Sequence, residues 1–277
     1  MKLAVSNIAW RPADRDAAYA ILRSHGIEGL EIAPGLFFDG VADPFVPTAE
    51  EVTAALRPME RAGLRLVSMQ SLLFGVSGAA LFEAEAARDR LFAAMSRAIG
   101  LAERLGIPNL VFGSPAQRVI PAGMTPDEAE TIAFAIFRRL GDVAARAGTC
   151  IAIEANPAAY GTNFLNRVPE AEAFVRKVDH EGVRLIVDVG ALHMNGDFDQ
   201  IENIAGRACD MISHVHMSEP HLAPAPADIE QAARVLSALS TAGYGRSCSI
   251  EMRTPPSDPL GILDQSVARL AEAARRA

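Results

Sequence analysis

The sequence predicts an α/β fold, a (β/α)8 barrel formed by one domain over residues 1–277. Strand-sized apolar runs alternate with amphipathic helical patterns about eight times, and no linker or low-complexity segment interrupts the alternation. A chain of 277 residues also suits one large α/β domain better than two smaller ones. A doubly wound open sheet produces the same local pattern, so closure of the sheet is the part of the prediction that needs a structure.

Eight strands are predicted from short runs of apolar residues. Most of these runs are continuous rather than alternating, as expected for parallel strands that are covered on both faces. In chain order the predicted strands are Leu3–Ala9, Gly29–Ala33, Arg65–Gln70, Asn109–Phe112, Cys150–Glu154, Arg184–Val187, Ile212–Met217 and Ser247–Met252.

The predicted helices carry recognisable start and stop signals. Thr48 with Glu51, and Thr125 with Glu128, have the spacing of a capping box at a helix N-terminus. Glycines are expected to end six helices, because glycine adopts the left-handed conformation of a helix C-terminus at least cost. These glycines are Gly26, Gly63, Gly106, Gly148, Gly182 and Gly243.

Composition restricts the partners of the chain. A formal net charge of −8 disfavours nucleic acid, whose binding requires a basic surface. No apolar run approaches the roughly 20 residues of a membrane span, and the N-terminus lacks a signal-peptide pattern, so no membrane contact and a cytoplasmic location are expected. The three cysteines are too widely spaced for a disulfide framework or a thiolate zinc site. The expected partner is a small molecule, and a homodimer is the commonest assembly for such a chain.

Ionisable residues mark the ends of the last four predicted strands, where a (β/α)8 barrel places its active site. They are Glu154, Asp188, His216 and Glu251. Three carboxylates brought together without a cation would repel one another. A divalent metal removes this repulsion, and oxygen ligands with one imidazole favour Mn²⁺, Mg²⁺ or Co²⁺ and permit Zn²⁺. The sequence therefore predicts a divalent metal held by these four residues.

Each of these residues has a plainer interpretation when it is taken alone. A carboxylate at a strand end is more often a helix cap or a member of an ion pair, and a strand histidine is more often a core residue. Four suitable groups on four consecutive strands favour the metal site. His214 precedes His216 by two residues and shares its side of the strand, so it is expected deeper in the barrel, where it would orient a neighbour.

The substrate pocket is predicted from the loops that follow the strands. Asparagine and glutamine suit neutral hydroxyl groups, and Trp10 would either stack on a sugar face or pack under the first loop. Glu31 is predicted as a second acidic site residue or as the partner of a basic neighbour. Arg253 would supply a positive group to the pocket or pair with a surface carboxylate. The candidate substrate-binding residues are His193, His214, Gln70, Asn7, Trp10, Glu219 and Arg253.

The motifs at these positions resemble those of the xylose isomerase-like TIM barrel superfamily, over essentially the whole chain. The resemblance is to the sugar phosphate isomerase/epimerase group, which includes the D-tagatose and D-psicose 3-epimerases and hydroxypyruvate isomerase. It implies that Glu154, Asp188, His216 and Glu251 hold the metal, and that the two glutamates act as an acid/base pair on opposite faces of the substrate. The motifs are Ile153–Asn156, Val187–Gly190 followed by His193–Asn195, His214–Glu219 and Ile250–Glu251.

The chain also departs from the epimerase pattern. Two extra residues separate Asp188 from the run His193–Asn195, relative to the tagatose and psicose epimerases. Those enzymes carry a substrate-contacting arginine shortly after the histidine of strand seven, whereas Ser218–Leu222 contains none. The departures concern the substrate and leave the metal ligands intact.

The function that the resemblance implies is a divalent-metal-dependent sugar isomerase or epimerase of carbohydrate metabolism. It would transfer a proton at the carbon next to a carbonyl through an enediolate. One alternative is a metal-dependent isomerase, lyase or dehydratase of a sugar acid, and another is a non-catalytic sugar-binding barrel. The related barrel endonucleases of abasic-site DNA repair are disfavoured, because they need more histidines and a basic surface.

Overall fold

Eight parallel strands pair in chain order and close into a barrel in a computed structural model that describes all 277 residues. The closing pair is β1 with β8, where Leu3 lies opposite Cys248, so no strand edge is left open. The closed barrel confirms the predicted fold class and excludes an open sheet. The strands are β1 (Lys2–Ser6), β2 (Gly29–Ile32), β3 (Arg65–Met69), β4 (Asn109–Phe112), β5 (Cys150–Glu154), β6 (Val183–Asp188), β7 (Ile212–Ser218) and β8 (Ser247–Glu251).

Ten helices accompany the strands. Eight of them follow the alternation of strand and helix, and two short ones, α2 and α7, are inserted directly after β2 and β6. No helix has both the length and the apolar character that a membrane span requires. The helices are α1 (Arg15–Ser24), α2 (Pro34–Phe37), α3 (Ala49–Arg61), α4 (Glu85–Leu105), α5 (Pro126–Arg146), α6 (Val168–Val178), α7 (Val189–Asn195), α8 (Ile201–Ala208), α9 (Ile229–Thr241) and α10 (Pro259–Arg276).

The first strand is shorter than its apolar pattern predicts. The other strands begin and end within one residue of the prediction, but β1 ends at Ser6, and Asn7–Ala9 form a turn of 3-10 helix. The side chain of Asn7 accepts a hydrogen bond from the Ala33 amide at 2.7 Å and donates one to the Ala33 carbonyl at 3.3 Å. This contact turns the chain toward the end of β2, so a tertiary interaction overrides the local pattern.

Most of the predicted helix boundaries are confirmed. Both capping boxes form, at Thr48 and at Thr125, and five of the six predicted glycines adopt the left-handed conformation. Gly182 does not, because Asp179, with a φ of 45°, already adopts it at the end of α6. A Cβ on Gly182 would lie 2.2 Å from the carbonyl oxygen of Gly141 in α5. Glycine is needed at position 182 because the backbone of α5 passes close to it, and not because the chain turns there.

The main hydrophobic core lies between the outer faces of the strands and the surrounding helices, and it contains 74 buried residues. A separate small cluster consists of Val111, Ala152 and Ile186. Ala152 and Ile186 precede Glu154 and Asp188 by two residues, so they share the inward strand faces of those carboxylates. The small cluster therefore forms an apolar floor inside the barrel, beneath the polar groups at its mouth.

We expect Gly182→Ala to lower the melting temperature by about 5 °C, because overpacking a close backbone contact typically costs 1 to 3 kcal/mol. Gly100→Ala in the middle of α4 is the matched control, since open space surrounds the position of its Cβ. The control should leave the melting temperature unchanged or raise it, because alanine is the better helix former. Calorimetry of both variants checks this expectation, and equal melting temperatures would contradict it.

Candidate metal centre and substrate cavity

Glu154, Asp188, His216 and Glu251 converge at the C-terminal mouth of the barrel. One ligand atom from each lies within 4.8 Å of the others. The strand register brings them together, because Asp188 is the direct partner of His216 between β6 and β7, and Ser218 is the partner of Glu251 between β7 and β8. The structure thus brings all four predicted metal ligands into one cluster.

The ring nitrogen Nδ1 of His216 points at the three carboxylates. It lies 3.2 Å from Oε1 of Glu154, 3.1 Å from Oε2 of Glu251 and 3.8 Å from Oδ2 of Asp188. Neither this buried nitrogen nor Oε1 of Glu154 has a well-aligned hydrogen bond. Buried polar atoms normally have a partner, and a divalent cation would serve both atoms. The donor set therefore fits a metal that is bound through His216 Nδ1.

The other nitrogen of the same ring is held from below by Glu31. His216 Nε2 lies 3.1 Å from Oε2 of Glu31, and both side chains are fully buried. A proton held on Nε2 by this contact leaves the lone pair of Nδ1 free for a metal. Burial opposes ionisation of Glu31, but the charge of His216 and its hydrogen bond outweigh burial and lower the pKa of the carboxyl group. Of the two interpretations of Glu31, pairing with a basic neighbour is the one observed.

Without a metal, a proton on His216 offsets part of the negative charge of the cluster. Burial lowers the pKa of His216, but the negative charges of Glu251 and Glu31 outweigh it, so the pKa lies well above its usual value. Burial raises the pKa of Glu251, although the charge of His216 acts against this. The imidazolium is the positive group among the carboxylates in this state. A metal that binds Nδ1 has to displace its proton.

Gln70 connects the acidic groups of the cluster. Its Nε2 lies 2.9 Å from Oγ of Ser6, from Oε1 of Glu31 and from Oε1 of Glu251. The amide nitrogen has two hydrogens for these three acceptors, so it satisfies two of them at a time. Gln70 thereby ties the end of β3 to β1, β2 and β8. Its role is to orient Glu251, in addition to lining the cavity.

Asp188 is a helix cap and a candidate ligand at the same time. Its Oδ1 accepts hydrogen bonds from the Ala191 amide at 2.6 Å and from Oγ of Ser218 at 2.9 Å. Ser218 in turn accepts one from the Gly190 amide at 2.9 Å. These contacts fix the carboxylate at the start of α7 and leave Oδ2 directed at His216. The two interpretations of a strand-end carboxylate are therefore compatible here.

Glu154 is held from the neighbouring strand and its own loop. Its Oε2 accepts a hydrogen bond from Nδ2 of Asn156 at 2.9 Å. A Cβ on Gly113, just after β4, would lie only 2.4 Å from the same oxygen. Glycine at position 113 is thus a requirement for the observed position of the Glu154 carboxylate.

A cavity of about 670 Å³ opens above the cluster. This volume lies in the range of small-molecule sites. Neutral polar side chains supply much of its wall, and Phe74, which is 66% exposed, supplies an apolar rim. The neutral polar groups on the wall are Gln70, Ser71, Ser114, Gln117, Asn156 and Tyr160. Such walls suit a ligand that is rich in hydroxyl groups.

Three of the seven candidate substrate-binding residues line the cavity: Gln70, Glu219 and Arg253. Oε1 of Glu219 accepts a hydrogen bond from the Ala227 amide at 2.8 Å, which fixes this carboxylate at the cavity wall.

The other four candidates lie outside the cavity wall. The ring of His193 stacks on Phe198 at 4.3 Å between ring centroids. Trp10 is 2% exposed and packs edge-on against Tyr19, in agreement with its interpretation as packing under the first loop. Asn7 is occupied by the backbone of Ala33. These side chains have structural contacts where substrate contacts were predicted.

His214 lies beneath His216, as its position two residues earlier predicts. Its Nε2 is 2.8 Å from Oγ of Ser249 and 3.3 Å from Oε2 of Glu31. Burial lowers the pKa of His214 to about 4, against the charge of Glu31. The ring is therefore neutral at pH 7, and its contact with Glu31 is not an ion pair. This histidine supports Glu31 from inside the barrel, away from any ligand in the cavity.

Arg118 is a buried cation that sequence reasoning did not identify. It is fully buried in the loop after β4, and none of its guanidinium nitrogens has a hydrogen-bond partner. Burial lowers the pKa of Arg118 to about 10, while the charge of Glu154 acts in the opposite direction. Arg118 therefore contributes positive potential to the acidic cluster from behind the cavity wall. Its flanking residues carry no pattern that predicts burial.

Comparison with known proteins gives one family match and many similar folds. Residues 19–273 match the model of a family described as the xylose isomerase-like TIM barrel. No curated protein matches the sequence significantly. The 3-keto-D-glucoside 4-epimerase of E. coli is 20% identical, with a TM-score of 0.76 over 98% of each chain.

Two further solved structures show the same level of similarity. The D-psicose 3-epimerase of Clostridium cellulolyticum H10 is 17% identical, with a TM-score of 0.74 over 99% of this chain and 96% of that one. The D-allulose 3-epimerase of Methylomonas sp. is 19% identical, with a TM-score of 0.75 over 100% of this chain and 96% of that one. At these identities the likeness establishes the fold alone.

We expect Gly113→Ala to weaken the binding of Mn²⁺ by about tenfold or more, the loss typical when a metal ligand loses its orientation. The added methyl group would displace the Glu154 carboxylate, which lies 2.4 Å from its position. Titration of the metal-free protein with Mn²⁺ checks this, with Gly100→Ala as the control that should bind like the wild type. An unchanged affinity in Gly113→Ala would contradict the requirement for glycine at position 113.

We expect metal binding at pH 7 to release between about one and two protons per protein, because the cation replaces the proton on His216 and ionises Glu251, whose pKa burial raises to about 7. The sign follows from the raised pKa of His216: at pH 7 the metal-free ring is protonated, so affinity for the metal should increase as the pH rises. Calorimetric titration with Mn²⁺ in buffers of different ionisation enthalpy measures the number of protons released. A count near zero at pH 7 would contradict the exchange of a proton for a metal.

Proposed function

Because the chain belongs to the xylose isomerase-like TIM barrel family, we propose that it is a divalent-metal-dependent sugar isomerase or epimerase. The observation that carries this proposal is the convergence of Glu154, Asp188, His216 and Glu251 at the floor of a cavity with neutral polar walls. The epimerases among the solved structures of the same fold support a sugar as the substrate. Carbohydrate metabolism is accordingly the proposed physiological setting.

The proposed metal site uses one oxygen from each of the three carboxylates and Nδ1 of His216. Mn²⁺, Mg²⁺ and Co²⁺ suit this set, and Zn²⁺ is compatible with it. A cation bound here would polarise the carbonyl of an α-hydroxy carbonyl substrate and acidify the adjacent C–H bond. Glu31 orients the ring of His216 through Nε2. Asp188 is itself oriented by its hydrogen bond to the start of α7.

Glu154 and Glu251 are the proposed acid/base pair. They project from β5 and β8, which are not neighbours in the barrel, so they approach a molecule in the cavity from different sides. One carboxylate would take the proton from the carbon next to the carbonyl, and the electron pair of the C–H bond would move toward the carbonyl oxygen, giving an enediolate. The other would return a proton from the opposite side. Return to the same carbon inverts it and yields an epimer, whereas return to the neighbouring carbon yields the aldose or ketose isomer.

Neighbouring side chains orient each of the two carboxylates. Asn156 donates to Glu154, and Gln70 donates to Glu251. Burial raises the pKa of Glu251, which favours a group that both takes up and releases protons near neutral pH.

The cytoplasmic location, the homodimer and the assignment of residues 1–277 to one domain stay predictions.

We expect the variants Glu154→Gln and Glu251→Gln to lose proton transfer by about a hundredfold or more, the usual contribution of a positioned acid or base. The measurement is deuterium incorporation from D₂O into ketoses at saturating Mn²⁺, with the metal content of each variant determined in parallel. Glu103→Gln is the matched control, because Glu103 is an exposed glutamate of α4 on the outside of the barrel. It should retain exchange within about tenfold of the wild type, since it plays no part as acid or base.

Two results would contradict the proposal. Exchange that persists in both glutamine variants would exclude the two glutamates as the acid/base pair. Wild-type protein that binds no metal after reconstitution with Mn²⁺, Co²⁺, Mg²⁺ and Zn²⁺ would exclude the mechanism and leave a sugar-binding barrel.

A further inference from the structure

Arg253 presents an unpaired guanidinium to the substrate cavity. Arg253 is exposed, lines the cavity, and has neither a salt bridge nor a side-chain hydrogen bond. Arg253 was predicted either to supply a positive group to the pocket or to pair with a surface carboxylate, and the structure contains no such pair. Its charge is available to whatever occupies the cavity.

The backbone around Arg253 is fixed from both sides. The Arg253 amide donates to the carbonyl of Leu222, in the loop after β7, at 2.9 Å. The Thr254 amide and its hydroxyl both donate to the carbonyl of Ile8, after β1, at 2.8 Å. Because β8 ends at Glu251, these contacts place Arg253 two residues beyond a candidate catalytic carboxylate. The backbone of Arg253 at the cavity rim is thus set by the fold, and its side chain extends from this fixed point.

The charge distribution of the cavity gives this arginine a separate role from the metal cluster. Arg253 is the one permanently cationic side chain among the residues that line the cavity. The other acidic or basic side chains there are His221, the three carboxylates of the metal cluster, and Glu219, which is bonded to the Ala227 amide. Neutral polar groups already supply donors and acceptors for hydroxyls. A planar guanidinium adds the ability to bind two oxygens of one anionic group.

We infer that the substrate carries an anionic oxygen group, a carboxylate or a phosphate, at the end away from the reacting carbons, and that Arg253 binds it. This inference rests on the proposed function, because the metal cluster defines which end of the substrate reacts. It narrows the substrate from sugars in general to sugar acids or sugar phosphates. In this chain the arginine of the cavity follows β8, whereas the segment after β7, Ser218–Leu222, contains no arginine.

The test compares three probes that share one 2-ketohexose skeleton: D-fructose, D-fructuronate and D-fructose 6-phosphate. Their dissociation constants are measured by calorimetry with Mn²⁺-loaded wild type, Arg253→Met, Arg253→Lys and Arg246→Met. Arg246 is the matched control, an exposed arginine beside Lys2 in a hollow at the opposite end of the barrel. Deuterium exchange from D₂O is recorded for the same combinations.

We expect at least one anionic probe to bind wild type about tenfold or more tightly than D-fructose, the ratio that corresponds to about 1.5 kcal/mol for a charge-assisted hydrogen bond. Arg253→Met should abolish this preference and leave the affinity for D-fructose nearly unchanged. Arg253→Lys should retain part of it, and Arg246→Met all of it. A preference for D-fructuronate identifies a sugar acid, and a preference for D-fructose 6-phosphate identifies a sugar phosphate.

The inference is overturned if neither anion binds more tightly than D-fructose, or if Arg253→Met weakens all three probes equally. Its failure is distinguishable from failure of the proposed function. Glutamate-dependent exchange without an anion preference would retain the function and reject the role of Arg253. An Arg253-dependent anion preference without metal or exchange would retain the anion site and reject the isomerase.

Discussion

Burial of negative charge at the mouth of the barrel is the constraint on which the rest of the site depends. Glu31, Glu154, Asp188 and Glu251 surround one imidazole, and ionised carboxylates without a compensating cation are strongly destabilising in such an environment. His216 provides the compensation in the metal-free protein by binding a proton. A divalent cation would provide it more fully, since one ion faces three carboxylates at once. The repulsion among these carboxylates lowers the stability of the metal-free protein, and its relief would favour binding of a metal.

The supporting contacts follow from this constraint. Each acidic group uses one oxygen for a fixed protein contact, from Gln70, Asn156 or the start of α7, and keeps another near His216. Because these contacts come from different strands, the barrel must close before the cluster exists. The site is thus a property of the closed sheet, and no single segment of the chain could form it. Three apolar side chains on β4, β5 and β6 lie beneath Glu154 and Asp188.

The sequence predicts the features that depend on local pattern. The bounds of seven strands, two capping boxes and the four candidate ligands at strand ends follow from periodicity, spacing and strand order. It fails where a distant contact decides the outcome. Asn7 leaves β1 because it binds Ala33, and Gly182 is needed because α5 passes close to it. The roles of Glu31 and Arg118 depend on which way a side chain points inside the closed barrel, and no spacing in the sequence encodes that direction.

Chemistry and specificity occupy different parts of this fold. The groups that would move protons sit at the ends of strands, where the register of the sheet fixes them, whereas Arg253 and much of the cavity wall lie in the loops. Loops tolerate substitution better than the strand ends do. A family with this arrangement can keep one proton-transfer centre and change the group that recognises the far end of the substrate. In this chain the cation lies after β8 and is anchored to the loops after β1 and β7. The substrate's charge, and not its reacting carbons, is therefore where this chain should differ from epimerases of neutral sugars.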